Sequence, residues 1–279
     1  MSDPLRATPA GWPVAPGSRD VPLIIAHRGF SAAAPENTLQ AFQLALDAGA
    51  DGVELDVRLT RDRRVAVFHD RRVDRTTSAR GPVGTFTLAQ LQSLDVGSWF
   101  DPRFKGARAV TLEEVFDALP HDFLVNVELK VRGLGVNALA SRVVEIVRRC
   151  RRFDSTVVAS FNPLALALVA RMEPRIIRGY AWNRRHPLPL RRRWFVPLGR
   201  PRWMDPDLMT FTPALLDTLH RQGRPVMAWD VDTGQDLRSL CAMRLDAIVT
   251  DDPGQWVRLR EQLLRERAAD VGPTAKVVS

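Results

Sequence analysis

Long apolar runs are missing from this 279-residue chain. No stretch approaches the roughly 18 consecutive apolar residues a spanning helix needs, so no segment is expected to cross a membrane. Cysteine is scarce: Cys150 and Cys241 are the only two, and both fall in segments with helical periodicity. That excludes a disulfide framework and leaves buried structural thiols as the expectation. Residues 1–20 are rich in Pro, Gly and Ala but lack the continuous apolar core of a secretory signal. Export by that route is not expected, and the expected location is the cytoplasm. Acid is absent from Arg178 to Arg202, where eight arginines match the whole formal excess of +8. The remainder of the chain is close to neutral, so the high net charge says little about it. The basic stretch itself keeps anionic membrane and nucleic acid in view as partners.

Apolar residues make up 45% of the sequence and charged residues 26%, the proportions of a globular protein with a sizeable core. Short β-branched runs alternate with longer amphipathic stretches, the pattern of parallel strands separated by helices. Eight strands are expected. They fall near Leu23–His27, Gly52–Thr60 with a continuation at Val65–His69, Leu124–Lys130, Thr156–Ser160, Ile176–Trp182, Leu208–Phe211, Pro225–Val231 and Ala247–Thr250. The second is a hairpin-like pair turning at Arg61-Asp62-Arg63. Thr111, with Glu114 three residues on, forms a capping box at a helix start. The pattern predicts an α/β chain folded as one (β/α)8 TIM barrel over residues 21–265. A small inserted cap at about 71–110 follows the second strand segment, and the ends, 1–20 and 266–279, are expected to be flexible.

The titratable residues cluster in this scheme. His27 ends the first strand, Glu54 and Asp56 lie on the second, His69 ends its continuation, and Glu128 and Lys130 end the third. Strand C-terminal ends converge on one mouth in such a barrel. Residues two apart on a strand share a face, so Glu54 and Asp56 point together, as do Glu128 and Lys130. Three acids in one space call for a divalent cation, and oxygen-only ligation favours Mg2+ or Ca2+ over zinc. A structural network neutralised by arginines is the alternative; it gives no reason for two histidines beside the acids.

The segments His27-Arg28-Gly29, Glu36-Asn37-Thr38, Glu54-Leu55-Asp56-Val57, His69-Asp70 with Arg75-Thr76-Thr77, and Glu128-Leu129-Lys130 together resemble the ordered motifs of the glycerophosphodiester phosphodiesterase family. The likeness continues through Thr111-Leu112-Glu113-Glu114, Ser160-Phe161 and Thr250-Asp251, spanning roughly residues 22 to 258. It implies a TIM barrel and a metal held by Glu54, Asp56 and Glu128. It further implies acid/base work by His27 and His69, and phosphate contacts from Arg28 and Lys130. Phe161 and Trp229 resemble aromatics lining the family's substrate pocket, although either could be core. Asn37 could support the metal site or cap a helix. Two departures stand out: Asp230-Val231-Asp232 where Thr and Asn commonly flank the Val, and Val110 where a Pro often precedes the helix.

The implied reaction is metal-dependent hydrolysis of glycerophosphodiesters to glycerol 3-phosphate and an alcohol. Which histidine is the acid, and whether water or a substrate hydroxyl attacks, stay open. One alternative is lysophospholipase D-type hydrolysis at a membrane surface; another is an inactive barrel that binds anions or nucleic acid. Between Arg178 and Trp203 the arginines are interleaved with Tyr180, Trp182, Trp194, Phe195 and Trp203, a composition suited to an anionic membrane interface. A solvated loop with some rings tucked into the barrel is the plainer reading. Nucleic acid is the least favoured partner, since no nucleic-acid-binding motif accompanies the charge.

Overall fold

Strand side chains alternate between two faces, and in this protein both faces are covered. The computed structural model describes residues 15–131, 133, 135, 137–229, 231 and 237–270. The departures at Asp230 and Asp232, and most of both expected flexible ends, lie outside these residues. The strands are Leu23–His27 (β1), Gly52–Leu59 (β2), Val65–Val67 (β3), Leu124–Leu129 (β4), Thr156–Ser160 (β5), Ile177–Trp182 (β6), Trp203–Pro206 (β7), Met227–Ala228 (β8) and Ala247–Thr250 (β9). Eight of them form a parallel sheet in the order β7-β6-β5-β4-β2-β1-β9-β8. Isolated bridges Met204 to Val226 and Asp207 to Trp229 join its two edges into a nearly closed barrel. β3 pairs antiparallel with β2 across the tight turn at Arg61–Arg63. This is the expected (β/α)8 TIM barrel, with helices between its strands.

Outward-facing Val53, Leu55 and Val57 of β2, with Val125 and Val127 of β4, pack under the surrounding helices. A second outer cluster gathers Ile24, Tyr180, Trp182, Met204, Ala228 and Ile248. Inward-facing Leu23, Ile25, Leu124, Val157, Trp203, Met227, Ala247 and Val249 fill the lower barrel. Fully burying an aliphatic side chain of this kind stabilises by roughly 1.5–3 kcal/mol. The same inward face becomes polar toward the C-terminal ends, where the next residues in register are His27, Glu54, Asp56, Glu128 and Asp205. The inserted cap has a small core of its own: Val73, Val83, Leu91, Val96 and Ala107 pack on Ala66 and Phe68 beside β3.

Several expectations need correction. The strand expected at Leu208–Phe211 is instead Trp203–Pro206, and Leu208–Thr210 is a short 3-10 turn with Met209 71% exposed. A strand reading Trp-Met-Asp-Pro carries two residues that strands disfavour, which hid it just after the basic stretch. The strand near Pro225–Val231 shrinks to Met227–Ala228 flanked by single bridges. The last helix, Pro253–Asp270, runs past residue 265. Before β1, the Gly17 amide donates to Asp246 Oδ1 and tethers the segment from residue 15. The cysteines form no disulfide and are half-buried, at the rims of the outer clusters rather than inside them.

Candidate active site

β1 ends in a sharp turn that sets the first part of the site. Arg28 adopts a left-handed conformation with φ 56° and Gly29 follows at φ 83°. A Cβ on Gly29 would lie 2.6 Å from the Ala41 backbone, so only glycine lets the turn close against the next helix. The turn is held by acids: the Arg28 amide donates to Glu54 Oε2 at 3.2 Å, and its guanidinium meets Glu36 at 3.0 Å and Asp56 at 3.3 Å. Thr38 caps the helix Leu39–Asp47. That leaves Asn37 free to grip Asp56, donating to Oδ2 at 2.9 Å and accepting from the Asp56 amide.

Glu54, Asp56 and Glu128 bring carboxylate oxygens within 4.8 Å of one another. Lys130 Nζ lies 2.9 Å from Asp56 and 2.8 Å from Glu128. Burial, and beside it the charge of Asp56, pushes Glu54 up to about 8. Burial also raises Glu128. Asp56 is driven the other way: burial opposes ionisation, but Lys130 and Arg28 outweigh it and hold the carboxyl well below the usual range. Two fixed cations therefore do not satisfy three acids, and Glu54 is the one left without a counter-charge. A hard divalent cation suits such an oxygen-only cluster, so these residues fit the metal implied by the sequence.

Each histidine is oriented by a carboxylate of its own. His27 Nδ1 lies 2.7 Å from Asp251 Oδ1, leaving Nε2 turned toward Glu54 at 4.0 Å. His69 Nδ1 lies 2.7 Å from Asp70 Oδ1. Asp70 is in turn held by Arg75, which also grips Glu36. Their protonation tendencies diverge. Burial works against charge on His27, but the hydrogen bond to Asp251 and the charge of Glu54 outweigh it and raise the group above its ordinary 6.5. Burial lowers His69, and Lys130 and Arg28 add to that against the pull of Asp56.

His27, Arg28, Glu54, His69, Glu128 and Lys130 line one cavity of about 200 Å³, with Phe161 and Trp229 on its wall. The two rings meet edge to face at 5.6 Å. The structure thus brings every sequence-predicted site residue to one end of the barrel. Three further groups were given no role by the sequence: Asp251 and Asp70, present in quoted motifs, and Asp205, which lay outside every motif and expected strand. Asp251 and Asp70 are each the next acid beside a histidine, in space or in sequence. Asp205 is buried on β7 with no hydrogen-bond partner for either oxygen, and burial together with Glu128 pushes it up to about 8. Gly179 makes its room, since a Cβ there would lie 2.4 Å from Asp205 Oδ2.

A TIM barrel carrying buried cations, an acid cluster and two carboxylate-backed histidines at its C-terminal mouth defines a phosphoric diester hydrolase. The comparisons specify it further. The glycerophosphoryl diester phosphodiesterase family model matches residues 27–255, and the chain belongs to that family. A glycerophosphodiester phosphodiesterase of Caldanaerobacter subterraneus subsp. tengcongensis is 35% identical over 239 residues, 85% of this chain and 97% of that protein. One from Bacillus altitudinis is 30% identical, covering 86% and 98%. Among solved structures, an Oleispira antarctica phosphodiesterase in complex with the product sn-glycerol-3-phosphate superposes with a TM-score of 0.77. It is 27% identical and covers 87% of this chain and 97% of its own.

The basic aromatic stretch is divided by the fold. Trp182 faces the outer helices at 2% exposure and Trp203 the barrel interior at 0%. Tyr180 is buried too, so Trp194 and Phe195 alone of the five rings face solvent. Arg193 lies over the Trp182 ring, and Arg178 donates to the Gly199 carbonyl. Arg184, Arg185, Arg191, Arg192, Arg200 and Arg202 are exposed.

Proposed function

We propose that this phosphodiesterase hydrolyses glycerophosphodiesters to glycerol 3-phosphate and an alcohol in a reaction that requires Mg2+ or Ca2+, with His27 and His69 as its acid/base pair. The observation that carries the reading is one cavity lined by both histidines, each backed by its own carboxylate, around an acid cluster with a surplus of negative charge. Glu54, Asp56 and Glu128 would hold the cation, which when bound would neutralise that surplus and attract the phosphoryl oxygens. Arg28 and Lys130 supply fixed positive charge to the same oxygens, which gain charge as the transition state forms. His27, biased toward its protonated form, suits the donor to the departing alkoxide. His69, biased toward neutrality, suits the acceptor of the attacking proton. The product bound in the Oleispira enzyme supports the glycerol 3-phosphate half of the assignment. Purified protein incubated with glycerophosphocholine, glycerophosphoethanolamine and glycerophosphoglycerol should release glycerol 3-phosphate with Mg2+ or Ca2+ present. Release of phosphate-bearing headgroup instead would overturn the assigned products.

Peripheral contact with anionic membrane is a second part of this reading. No helix among the described residues is long and apolar enough to cross a bilayer. Six exposed arginines beside exposed Trp194 and Phe195 support adsorption, at about 1 kcal/mol per basic residue near an anionic leaflet. The protein should sediment with anionic but not zwitterionic vesicles at low salt, and Arg191→Gln with Arg192→Gln should weaken this. Binding indifferent to salt and to both substitutions would return the segment to an ordinary solvated loop.

A further inference from the structure

A second hollow of about 620 Å³ adjoins the catalytic cavity. The two share His69, Glu128, Lys130 and Phe161, so a group bonded to a phosphate at the site has this hollow as its continuation. Beyond the shared residues six apolar side chains line it, Leu129, Val131, Pro163, Leu164, Leu190 and Phe195, beside Arg58, Asn162 and His186. Of these, Leu164 and Phe195 stand 39% and 42% exposed, and Leu188, Trp194 and Leu198 add exposed apolar surface on the same segment as Phe195. Four large exposed hydrophobics thus fall within residues 188–198, a concentration that marks a binding surface rather than scattered surface residues.

The wall carrying them is fixed to the barrel. The Tyr180 hydroxyl donates to the Leu190 carbonyl at 3.0 Å, Val196 is buried, and a Cβ on Gly199 would lie 2.6 Å from Leu166. The hollow is therefore built before anything enters it, and its size falls within the 300–1,000 Å³ typical of small-molecule sites.

We infer that the hollow is a hydrocarbon subsite, and that the enzyme acts on single-chain glycerophospholipids whose acyl chain lies between Leu164, Leu190 and Phe195 while the phosphodiester meets Arg28 and Lys130. The chemistry is unchanged. Water oxygen becomes bonded to phosphorus, the bond from phosphorus to the headgroup oxygen breaks, and the alcohol leaves with a proton. This inference rests on the catalytic reading above for turnover, but not for binding.

Two measurements separate the two. In the first, kcat/KM is determined for monoacyl glycerophosphocholines of rising chain length, all kept below their micelle concentrations, with glycerophosphocholine as the member without a chain. Each methylene that enters the hollow should raise kcat/KM about fourfold, the factor equivalent to about 0.8 kcal/mol per buried CH2, until the hollow is full. Leu164→Ser and Phe195→Ser should flatten that series while leaving glycerophosphocholine turnover unchanged. In the second, affinity for monoalkyl phosphates of rising chain length is measured by calorimetry, and should rise with length in the same way. Turnover and affinity both independent of chain length would overturn the subsite and leave the catalytic reading standing. Chain-dependent affinity in a protein that hydrolyses none of the diesters would uphold the subsite and overturn that reading. A chain dependence that survives both serine variants would place the chain elsewhere and overturn the assignment.

Discussion

Glu54→Gln is expected to lower turnover by about a thousandfold or more at saturating Mg2+ or Ca2+, while leaving the thermal stability of the metal-free protein unchanged. The two halves of this result come from one fact: Glu54 is the acid of the cluster that the fixed cations leave without a counter-charge. Pushed up to about 8 by burial and by Asp56, it is largely protonated at neutral pH without metal. Glutamine is then nearly isosteric with the form already present, and no buried charge loses a partner. Asp56→Ala is a less clean probe. Asp56 pairs with Lys130 and Arg28 and is held by Asn37, so its loss leaves buried cations short of a counter-charge. Metal binding selectively stabilises the folded state, by about 2.7 kcal/mol at a hundredfold excess over Kd. The wild type should therefore melt higher as Mg2+ or Ca2+ is titrated in, and Glu54→Gln should lose that rise. A thousandfold in rate corresponds to about 4 kcal/mol, within the several kcal/mol that metal-assisted charge stabilisation provides. Wild-type activity that persists in excess chelator would overturn the metal requirement, and an undiminished melting rise in Glu54→Gln would remove this residue from the ligand set.

The acids on β2 and β4 were legible from the sequence because each pair is two residues apart on a strand, and period-2 alternation needs no tertiary knowledge. His27 and Asp251 are different. Their contact requires β9 to lie beside β1, with Ala26 opposite Thr250. That neighbour relation appears only when a sheet over 200 residues long in sequence closes on itself. Thr250-Asp251 could be seen as a motif, but the group it orients could not. Asp205 was hidden more deeply, since a strand of Trp, Met, Asp and Pro lacks the β-branched signature by which the others were found. Misplacing that strand by about five residues also misassigned Trp203. In the true register it alternates with Met204 and faces the barrel axis. Trp182 is buried because an outward strand residue in a TIM barrel meets a helix rather than solvent. The apolar hollow could not be anticipated at all: Leu164, Leu190 and Phe195 are distributed over two segments that converge only in the folded chain.

Replacing either histidine by alanine should slow turnover by roughly 10²–10⁴-fold, the usual consequence of losing a general acid or base. The melting rise on metal addition should survive, because neither imidazole belongs to the oxygen cluster. The two variants should differ in what rescues them. A substrate with a strongly acidic leaving group departs without protonation, so His27→Ala should recover on a nitrophenyl diester while His69→Ala should not. The pH profile supplies an independent check with a definite sign. His69 must be neutral to accept a proton, so activity falls as pH drops through its lowered pKa, below 6.5. His27 must be protonated to donate, so activity falls as pH rises through its raised pKa, above 6.5. The wild-type kcat/KM should therefore form a plateau that spans 6.5. Asp251→Asn removes the carboxylate charge and so weakens the hydrogen bond that chiefly raises His27; its alkaline limb should move to lower pH while the acid limb stays in place. Rescue of His69→Ala rather than His27→Ala would exchange the two roles. If neither variant is slowed by about tenfold, or if Asp251→Asn leaves both limbs unmoved, the acid/base pair lies elsewhere in the cavity.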